Sequence, residues 1–379
     1  MNPQEKIDRE RLARCFIALA ERASPSFAED DVFAYVRECL EALGCRCVLQ
    51  DYGKGRNLVA ILEASETKAD AGFPALALAA HADTVEPCAG IRVVRDGDRI
   101  ASDGTTVLGG DDKAAIAEII ETLRVITENA LPHGRIEVVI TSAEEVGLIG
   151  AKNLDMTLLS AKYCLVLDSS GEPGSAVIAA PHQVAFAIEC QGKKAHAGIE
   201  PEKGTSAVAL AAEVIHNFPI GRLDADSVAN YGSIGGGGAN NIVPDRATVR
   251  GEIRSHSRAL LDGHIARLDD ACRRAEGRIG GRALLTIIPE HDGLAIAPDH
   301  PLLDVVRRAA LSCGLAFTTF ATGGGSDANI LAARGMDCIN LACGMRNVHT
   351  NEEYVLLSDL EKMCGLLLHM LCGECGILG

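Results

Sequence analysis

The sequence predicts an α/β protein: a mixed, mostly parallel sheet with helices on both faces, plus an inserted α+β domain. Three observations predict it. Short, uniformly apolar runs at 76–80, 135–141 and 163–167 alternate with helix-length amphipathic segments. Strands with no wet face belong in a sheet covered on both sides. From residue 183 the runs become strictly alternating, as in a sheet with one solvated face, and near 295 the first texture returns. The expected boundaries are therefore 1–182 for the first part of the main domain, 183–290 for the insertion and 291–379 for the second part.

Taken in order, 7–21 and 29–43 have helical periodicity, and Gly44 stops the second. Strands are expected at 45–50, 57–62 and 76–80, with a hairpin over 92–101 around Asp96-Gly97. A glycine pair, Gly109-Gly110, and two acids, Asp111-Asp112, precede a helix over 114–128. Strands at 135–141 and 163–167 follow. The insertion should hold strands at 184–191, 227–232, 247–254 and 283–288, with helices at 205–217 and 257–275. The closing part should hold a helix at 301–312, strands at 316–320 and 338–342, and a final helix at 357–371.

Composition excludes several functions. The chain is long enough for about two or three domains, and 47% hydrophobic residues suffice for a sizeable core. A net charge of −16 argues against nucleic acid or an anionic membrane surface as partner, because both need basic patches. The 14 cysteines are scattered through apolar runs, the distribution of buried thiols in a reducing compartment. Cys372 and Cys375 have the spacing of a redox or zinc pair, but no second pair accompanies them, so they read as structural or incidental. The charged start of the chain does not look like a signal peptide, and no run has the ~20 apolar residues of a membrane span. The expectation is a soluble cytoplasmic protein.

The chemistry sits where the apolar strands end. His81 and Asp83 follow one, Glu144 and Glu145 another, Asp168 a third, and His349 lies one loop beyond a fourth. In open α/β sheets the carboxyl ends of the strands share one edge, where ligands bind. That edge would gather residues about 270 positions apart. Histidines with carboxylates suit zinc, and also manganese or cobalt. A carboxylate to spare for bridging suggests two metals, which lower the pKa of a shared water and clamp a tetrahedral intermediate. Asp83 is expected to accept the second ring N–H of His81. One of Glu144 and Glu145 would bind metal and the other act as general base. In Asp111-Asp112, one carboxylate would cap the helix and the other bind metal. The glycine runs at 235–238 and 323–325 lack the Lys and Ser/Thr of a phosphate loop and read as substrate-backbone turns.

These motifs carry a resemblance. His81-Ala82-Asp83-Thr84-Val85, Gly110-Asp111-Asp112-Lys113, Ala143-Glu144-Glu145-Val146-Gly147, Asp168, Lys194-Ala195-His196-Ala197-Gly198, Asn241-Ile242-Val243-Pro244-Asp245 and Val348-His349-Thr350 occur in one order. Over about residues 8–372 the chain resembles the di-zinc exopeptidase and amidohydrolase family of tripeptidase T, glutamate carboxypeptidase and aminoacylase. Gly324-Gly325-Ser326-Asp327-Ala328-Asn329 looks like the peptidase T branch, whereas Ala115 stands where many relatives carry glycine. The resemblance implies that His81 and His349 bind one metal each, that Asp111 bridges them with a cis Asp111–Asp112 peptide, and that Glu145 and Asp168 complete the two shells. Glu144 would be the general base and Asp83 the partner of His81. In the insertion, read as a lid and dimerisation domain, His196 and Asn241 would stabilise the oxyanion and Arg254 grip a substrate carboxylate.

The implied activity is hydrolysis of one amide in a short peptide by a metal-bridged hydroxide, in a possible homodimer. An N-acyl amino-acid amidohydrolase or a carboxypeptidase is the alternative. Asp at 168 favours the aminopeptidase, since the deacylases usually carry Glu there.

Overall fold

Two adjacent strands at 46–52 and 55–62 open the main sheet, and everything at the site hangs from the strands that follow them. The computed structural model describes residues 3–65 and 74–372; Cys375 of the terminal pair lies outside the described residues. The chain divides into two compact units: Met1–Ile178, Ala295–Ala321 and Ser326–Gly379 form one, and Ala179–Leu294 with Thr322–Gly325 the other. The second unit thus starts and ends a few residues outside the boundaries expected at 183 and 290, and it takes in a four-residue glycine-rich segment from far along the chain.

The strands are β1 (Arg46–Tyr52), β2 (Gly55–Leu62), β3 (Leu76–His81), β4 (Val93–Asp96), β5 (Arg99–Ser102), β6 (Ile136–Thr141), β7 (Tyr163–Ser169), β8 (Ser175–Ala180), β9 (His182–Gln191), β10 (Gly221–Arg222), β11 (Ser227–Gly236), β12 (Arg246–Ser255), β13 (Arg282–His291), β14 (Leu294–Ala295), β15 (Thr318–Ala321), β16 (Asp337–Ala342), β17 (Met345–Arg346) and β18 (Tyr354–Leu356). The α-helices are α1 (Arg9–Ala20), α2 (Asp30–Ala42), α3 (Gly110–Glu128), α4 (Ile149–Asn153), α5 (Ala207–Asn217), α6 (Arg258–Ile279), α7 (Pro301–Ser312), α8 (Asp327–Ala333) and α9 (Leu357–Cys372).

In the first unit the main sheet runs β1-β2-β6-β3-β7-β16-β8-β14. Its centre is parallel, with β3 beside β6 and β7, and β16 beside β7. The flanks are antiparallel, at β1–β2, β2–β6 and β16–β8. Every residue of β3 and β6 is buried, which explains why both read as unbroken apolar runs. Alternate residues such as Leu76, Leu78, Ile136, Val138 and Leu165 join α1, α2, α3, α7 and α9 in one core. The opposite face carries the short α4 and α8, which meet through Leu148, Ala151 and Ile330. Sequence pattern missed both short helices, which are too short to display a period, and it missed β8.

The second unit holds an antiparallel sheet, β10-β11-β12-β9-β13. Val184, Phe186, Ile188 and Cys190 point from β9 into its core, and α5 and α6 cover the same face. The strict alternation in the sequence is this one-sided burial. Within the described residues no helix is long and apolar enough to cross a membrane.

Candidate metal centre

The parallel centre brings the carboxyl ends of β3, β6, β7 and β16 to one edge of the first unit. His81 is the last residue of β3 and Asp83 lies just beyond it. Ala143 follows β6 with φ +51°, an unusual backbone for a residue other than glycine. That turn sends Glu144 and Glu145 off the strand direction instead of continuing it. Asp168 lies near the end of β7. Asn340 in β16 fixes it by two hydrogen bonds of its side-chain amide, accepting from the Asp168 N–H at 3.0 Å and donating to its carbonyl at 2.9 Å. A buried asparagine in an apolar strand was visible in the sequence as an anomaly.

Asp111 is the common point of the cluster. Its Oδ1 lies 3.0 Å from His81 Nε2, and its Oδ2 lies 3.2 Å from His349 Nε2. His81 Nε2 is also 3.8 Å from Asp168 Oδ1, and His349 Nε2 is 3.0 Å from Glu145 Oε1. Two three-residue donor sets result, His81–Asp111–Asp168 and Asp111–Glu145–His349, each with its donor atoms within 4.8 Å of one another. Each set offers one imidazole and two carboxylates, a donor chemistry that fits a divalent cation of the zinc, manganese or cobalt type. Glu144 lies within the same span of His81 and Glu145. Glu145 contacts His349 and Glu144 does not, which leaves the Glu144 carboxylate beside the two sets.

The charges agree with a cation-shaped place. Burial works to lower the basicity of His81, but the carboxylates of Asp111 and Asp83 outweigh it and hold the imidazole well above its ordinary value. Asp111 and Glu145 raise His349 to about 10. Burial opposes ionisation of Asp111, yet the two imidazoles hold it well below the carboxylate range. Asp168 and Glu144 are pushed well above that range, by burial first and then by neighbouring negative charge. Protons thus take the places that cations would take: the site concentrates more negative charge than the protein's own groups balance.

Two sequence expectations need correction. The second ring nitrogen of His81 donates chiefly to the carbonyl oxygen of Asp83, at 2.9 Å, while the Asp83 carboxylate is 3.4 Å away. A carbonyl can only accept, so Nδ1 carries a proton and Nε2 is the nitrogen that faces the site. The Asp83 carboxylate instead accepts the N–H groups of Glu144 and Glu145, at 2.9 and 3.2 Å, and the Ser26 hydroxyl at 2.7 Å. It therefore orients the two glutamates. Second, neither acid of Asp111-Asp112 caps α3 by its side chain, and both have non-helical backbone angles across a cis peptide. Asp112 accepts the His81 backbone N–H at 3.2 Å, so it supports the histidine from beneath, and the helix proper begins at Lys113. Arg254 has a carboxylate neighbour of its own: Glu252 lies 2.9 Å from its Nε. Its guanidinium also donates to the Gly323 carbonyl at 3.2 Å.

Arg254 belongs to the second unit, as do His196 and Asn241. The latter two lie side by side, with the Ala197 N–H donating to the Asn241 carbonyl at 2.9 Å and a bridge joining His196 to Ile242. Both are exposed.

Other supporting groups were missed. Glu29 accepts from the Ala143 N–H at 3.0 Å and so holds the turn that aims the glutamates. Asp327 accepts from the Thr141 hydroxyl at the end of β6, and burial pushes its carboxyl to about 6. Glu353 accepts three N–H groups from 108–111. Asp327 stood inside a quoted motif, but Glu29 and Glu353 look like ordinary solvated acids in sequence, and no local signal marks them.

Two donor sets sharing one carboxylate, on the C-terminal edge of a mixed α/β sheet, define the class of dinuclear metal sites. The chain belongs to the peptidase family M20/M25/M40, whose pattern matches residues 77–372. It is 34% identical to the uncharacterized protein YqjE of Bacillus subtilis (strain 168), over 94% of this chain and 96% of that one. Its fold matches the aminopeptidase PepT of Bacillus cereus ATCC 10987 with a TM-score of 0.86 at 36% identity, covering 96% of this chain and 98% of that one. A tripeptidase of Staphylococcus aureus subsp. aureus mu50 gives a TM-score of 0.89 at 33% identity, covering 96% and 97%. Peptidase T of Salmonella arizonae is 28% identical over 69% of this chain, a stretch that spans 65% of the Salmonella protein.

Proposed function

We propose that this protein is a two-metal aminopeptidase that removes a residue from short peptides, tripeptides among them. The observation that carries the reading is the divided coordination of Asp111, one oxygen toward His81 and the other toward His349. His81, Asp111 and Asp168 would hold one divalent ion, and Asp111, Glu145 and His349 the other. Bound there, the ions supply Lewis-acid polarisation of the amide carbonyl and a lowered pKa for water. Zinc is the ion the donor set favours, and the same donors accept manganese or cobalt.

The protein's own groups do the rest. Glu144 takes the proton from the attacking water and returns it to the leaving amine, a task worth roughly 10²–10⁴-fold in rate. Asp83 holds Glu144 and Glu145 by their backbone N–H groups, so base and ligand are fixed by one carboxylate. The carbonyl of Asp83 sets the tautomer of His81. His196 and Asn241 are kept as oxyanion donors and Arg254 as the group for a substrate carboxylate, with Glu252 as the competitor that a substrate must displace or share.

The names of the B. cereus and S. aureus structures, both above 30% identical, support peptides as substrates. An N-acyl amino-acid amidohydrolase or a carboxypeptidase is the second reading, and aspartate at position 168 speaks against it. A cytoplasmic setting is supported by the free cysteines found throughout the described residues. A homodimer through the second unit is supported by its exposed Ile220 and Ile234.

The test is hydrolysis of a tripeptide, a dipeptide and an N-acyl amino acid, before and after chelation and after return of zinc, manganese or cobalt. Preferred cleavage of the tripeptide at its amino end, lost on chelation and restored by metal, is expected. No turnover of any of the three with metal restored would sink the enzymatic reading, and preference for the acylated amino acid would move it to the second.

A further inference from the structure

The start of α3 is a segment that cannot satisfy its own backbone. Gly109 has a left-handed φ of +73°, and Asp111 and Asp112 lie outside helical geometry. The first N–H groups of any helix have no partner within it, and here the irregular stretch lengthens the gap. One side chain from far along the chain fills it. Glu353, 1% exposed, accepts from the N–H groups of Leu108 and Gly109 through Oε2, both at 2.8 Å. Its Oε1 accepts from the N–H of Asp111 at 2.9 Å. Both carboxylate oxygens are thus committed to the backbone that carries the shared metal-binding side chain.

Glu353 is itself firmly placed. It immediately precedes β18, which pairs with β17 and β5 in a small four-stranded sheet. Its own N–H donates to the Thr350 carbonyl at 3.1 Å, closing the turn that follows His349. His349 has φ +64° and Asn347 φ +53°, so the loop is held in a conformation that neither residue prefers. One carboxylate therefore joins two metal-bearing segments: the turn after His349, on which it sits, and the Gly109–Asp111 backbone, which it holds. Gly110 marks how closely they meet. A Cβ there would stand 2.9 Å from Glu353 Oε1 and 3.1 Å from Val355 Cγ1.

We propose that Glu353 is a positioning residue for the metal centre, setting the place of Asp111 relative to His349 so that the bridging carboxylate spans both ions. The proposal rests on the two-metal reading of the site. A carboxylate is required rather than an amide. In Glu353→Gln one oxygen becomes an NH₂ donor, which must face either the Asp111 N–H or the pair at Leu108 and Gly109, donor against donor. Partners one layer behind metal ligands typically contribute 10–100-fold in metal affinity.

The test measures metal binding, not turnover. Metal-free wild type, Glu353→Gln and Gly110→Ala are titrated with Zn²⁺ against a chromophoric chelator. Co²⁺ is followed by its visible absorption, and the thermal midpoint of each metal-free form is recorded. Expected are two ions per wild-type chain, a 10–100-fold weaker affinity for at least one ion in Glu353→Gln, and an altered Co²⁺ spectrum. Gly110→Ala should weaken binding in the same direction, because its methyl displaces Glu353 Oε1. In the Glu353→Ala background the same glycine change should have little further effect. Lower thermal midpoints with Zn²⁺ affinity and Co²⁺ spectrum unchanged would make Glu353 a helix-start support only and overturn the proposal. If Glu353→Gln does not fold, unchanged affinity in Gly110→Ala overturns it as well. A wild type that binds neither Zn²⁺ nor Co²⁺ would instead sink the two-metal reading.

Discussion

The strand β6 has an acid at each end, and the two ends are built on opposite terms. At its start Glu137 is fully buried and fully served: Arg135 lies 2.7 Å away, and the Ser160 N–H and hydroxyl and the Ala161 N–H all donate to it. Burial works against its ionisation, but these donors win and hold its carboxyl below the ordinary value. Beyond its exit Glu144 is driven the other way, by burial first and then by the charge of Asp168. The difference separates a structural carboxylate from a site. Where the protein supplies every donor, the charge is finished; where it supplies carboxylates and only two imidazoles, a cation completes it.

The largest test of that contrast is Asp111→Ala. Removing the carboxylate common to both donor sets should abolish binding of two ions, read as metal per chain, and reduce peptide hydrolysis by at least about 10³-fold. A variant that still binds two ions would break the comparison at its functional end. Glu144→Gln comes next. It should lower kcat by roughly 10²–10⁴-fold while the chain keeps its metal, which separates the base from the ligands. Full activity in this variant would remove Glu144 from the chemistry.

Glu137→Ala probes the other end. Three N–H or O–H donors and a guanidinium lose their acceptor, so unfolding free energy should fall by roughly 2–4 kcal/mol, with metal stoichiometry unchanged. Because the folded state lowers the affinity of Glu137 for protons, its contribution is present above about pH 4.5. It is lost as pH falls through the still lower folded value. Denaturation curves of wild type and variant should therefore converge in acid; a constant gap down to pH 2 would contradict the assignment.

The smallest effect is expected at Glu118, in the middle of α3. It is fully buried, and neither carboxylate oxygen has a hydrogen-bond partner among the described residues. Burial, with the charge of Asp359 adding to it, pushes its carboxyl well above the ordinary value. The sign is opposite to Glu137: ionising costs stability, and the cost grows as pH rises from about 4.5 toward the folded value. Glu118→Met should raise stability by roughly 1–3 kcal/mol at pH 8 and by less at pH 5. A destabilised variant at pH 8 would mean that Glu118 is held by an interaction its surroundings do not reveal.

Much of the edge was legible beforehand. His81, Glu144, Glu145 and Asp168 follow apolar runs, and a run of six or seven residues reports its own burial. The α+β character of the second unit was legible for the same reason, through Val184, Phe186, Ile188 and Cys190. What failed was anything that depends on direction within a turn. The left-handed backbone of Ala143, the carbonyl of Asp83 as partner of His81, and the support role of Asp112 all hang on dihedral angles that composition does not encode. The short α4 and α8 failed for want of length, and the Arg254–Glu252 pair went unseen because a sequence lists both acid and base on one strand without saying that they meet.

The sequence by itself determined the kinds of donors and the edge on which they gather, since strand periodicity and the polar residue at each exit are local properties. Which oxygen of Asp111 faces which imidazole was decided only in three dimensions. So was the joining of Asp111 to the His349 turn through Glu353, 242 residues further along. The physical reason is that a buried N–H must find an acceptor wherever the fold brings one within 3 Å, and that partner leaves no periodic trace in either stretch of chain.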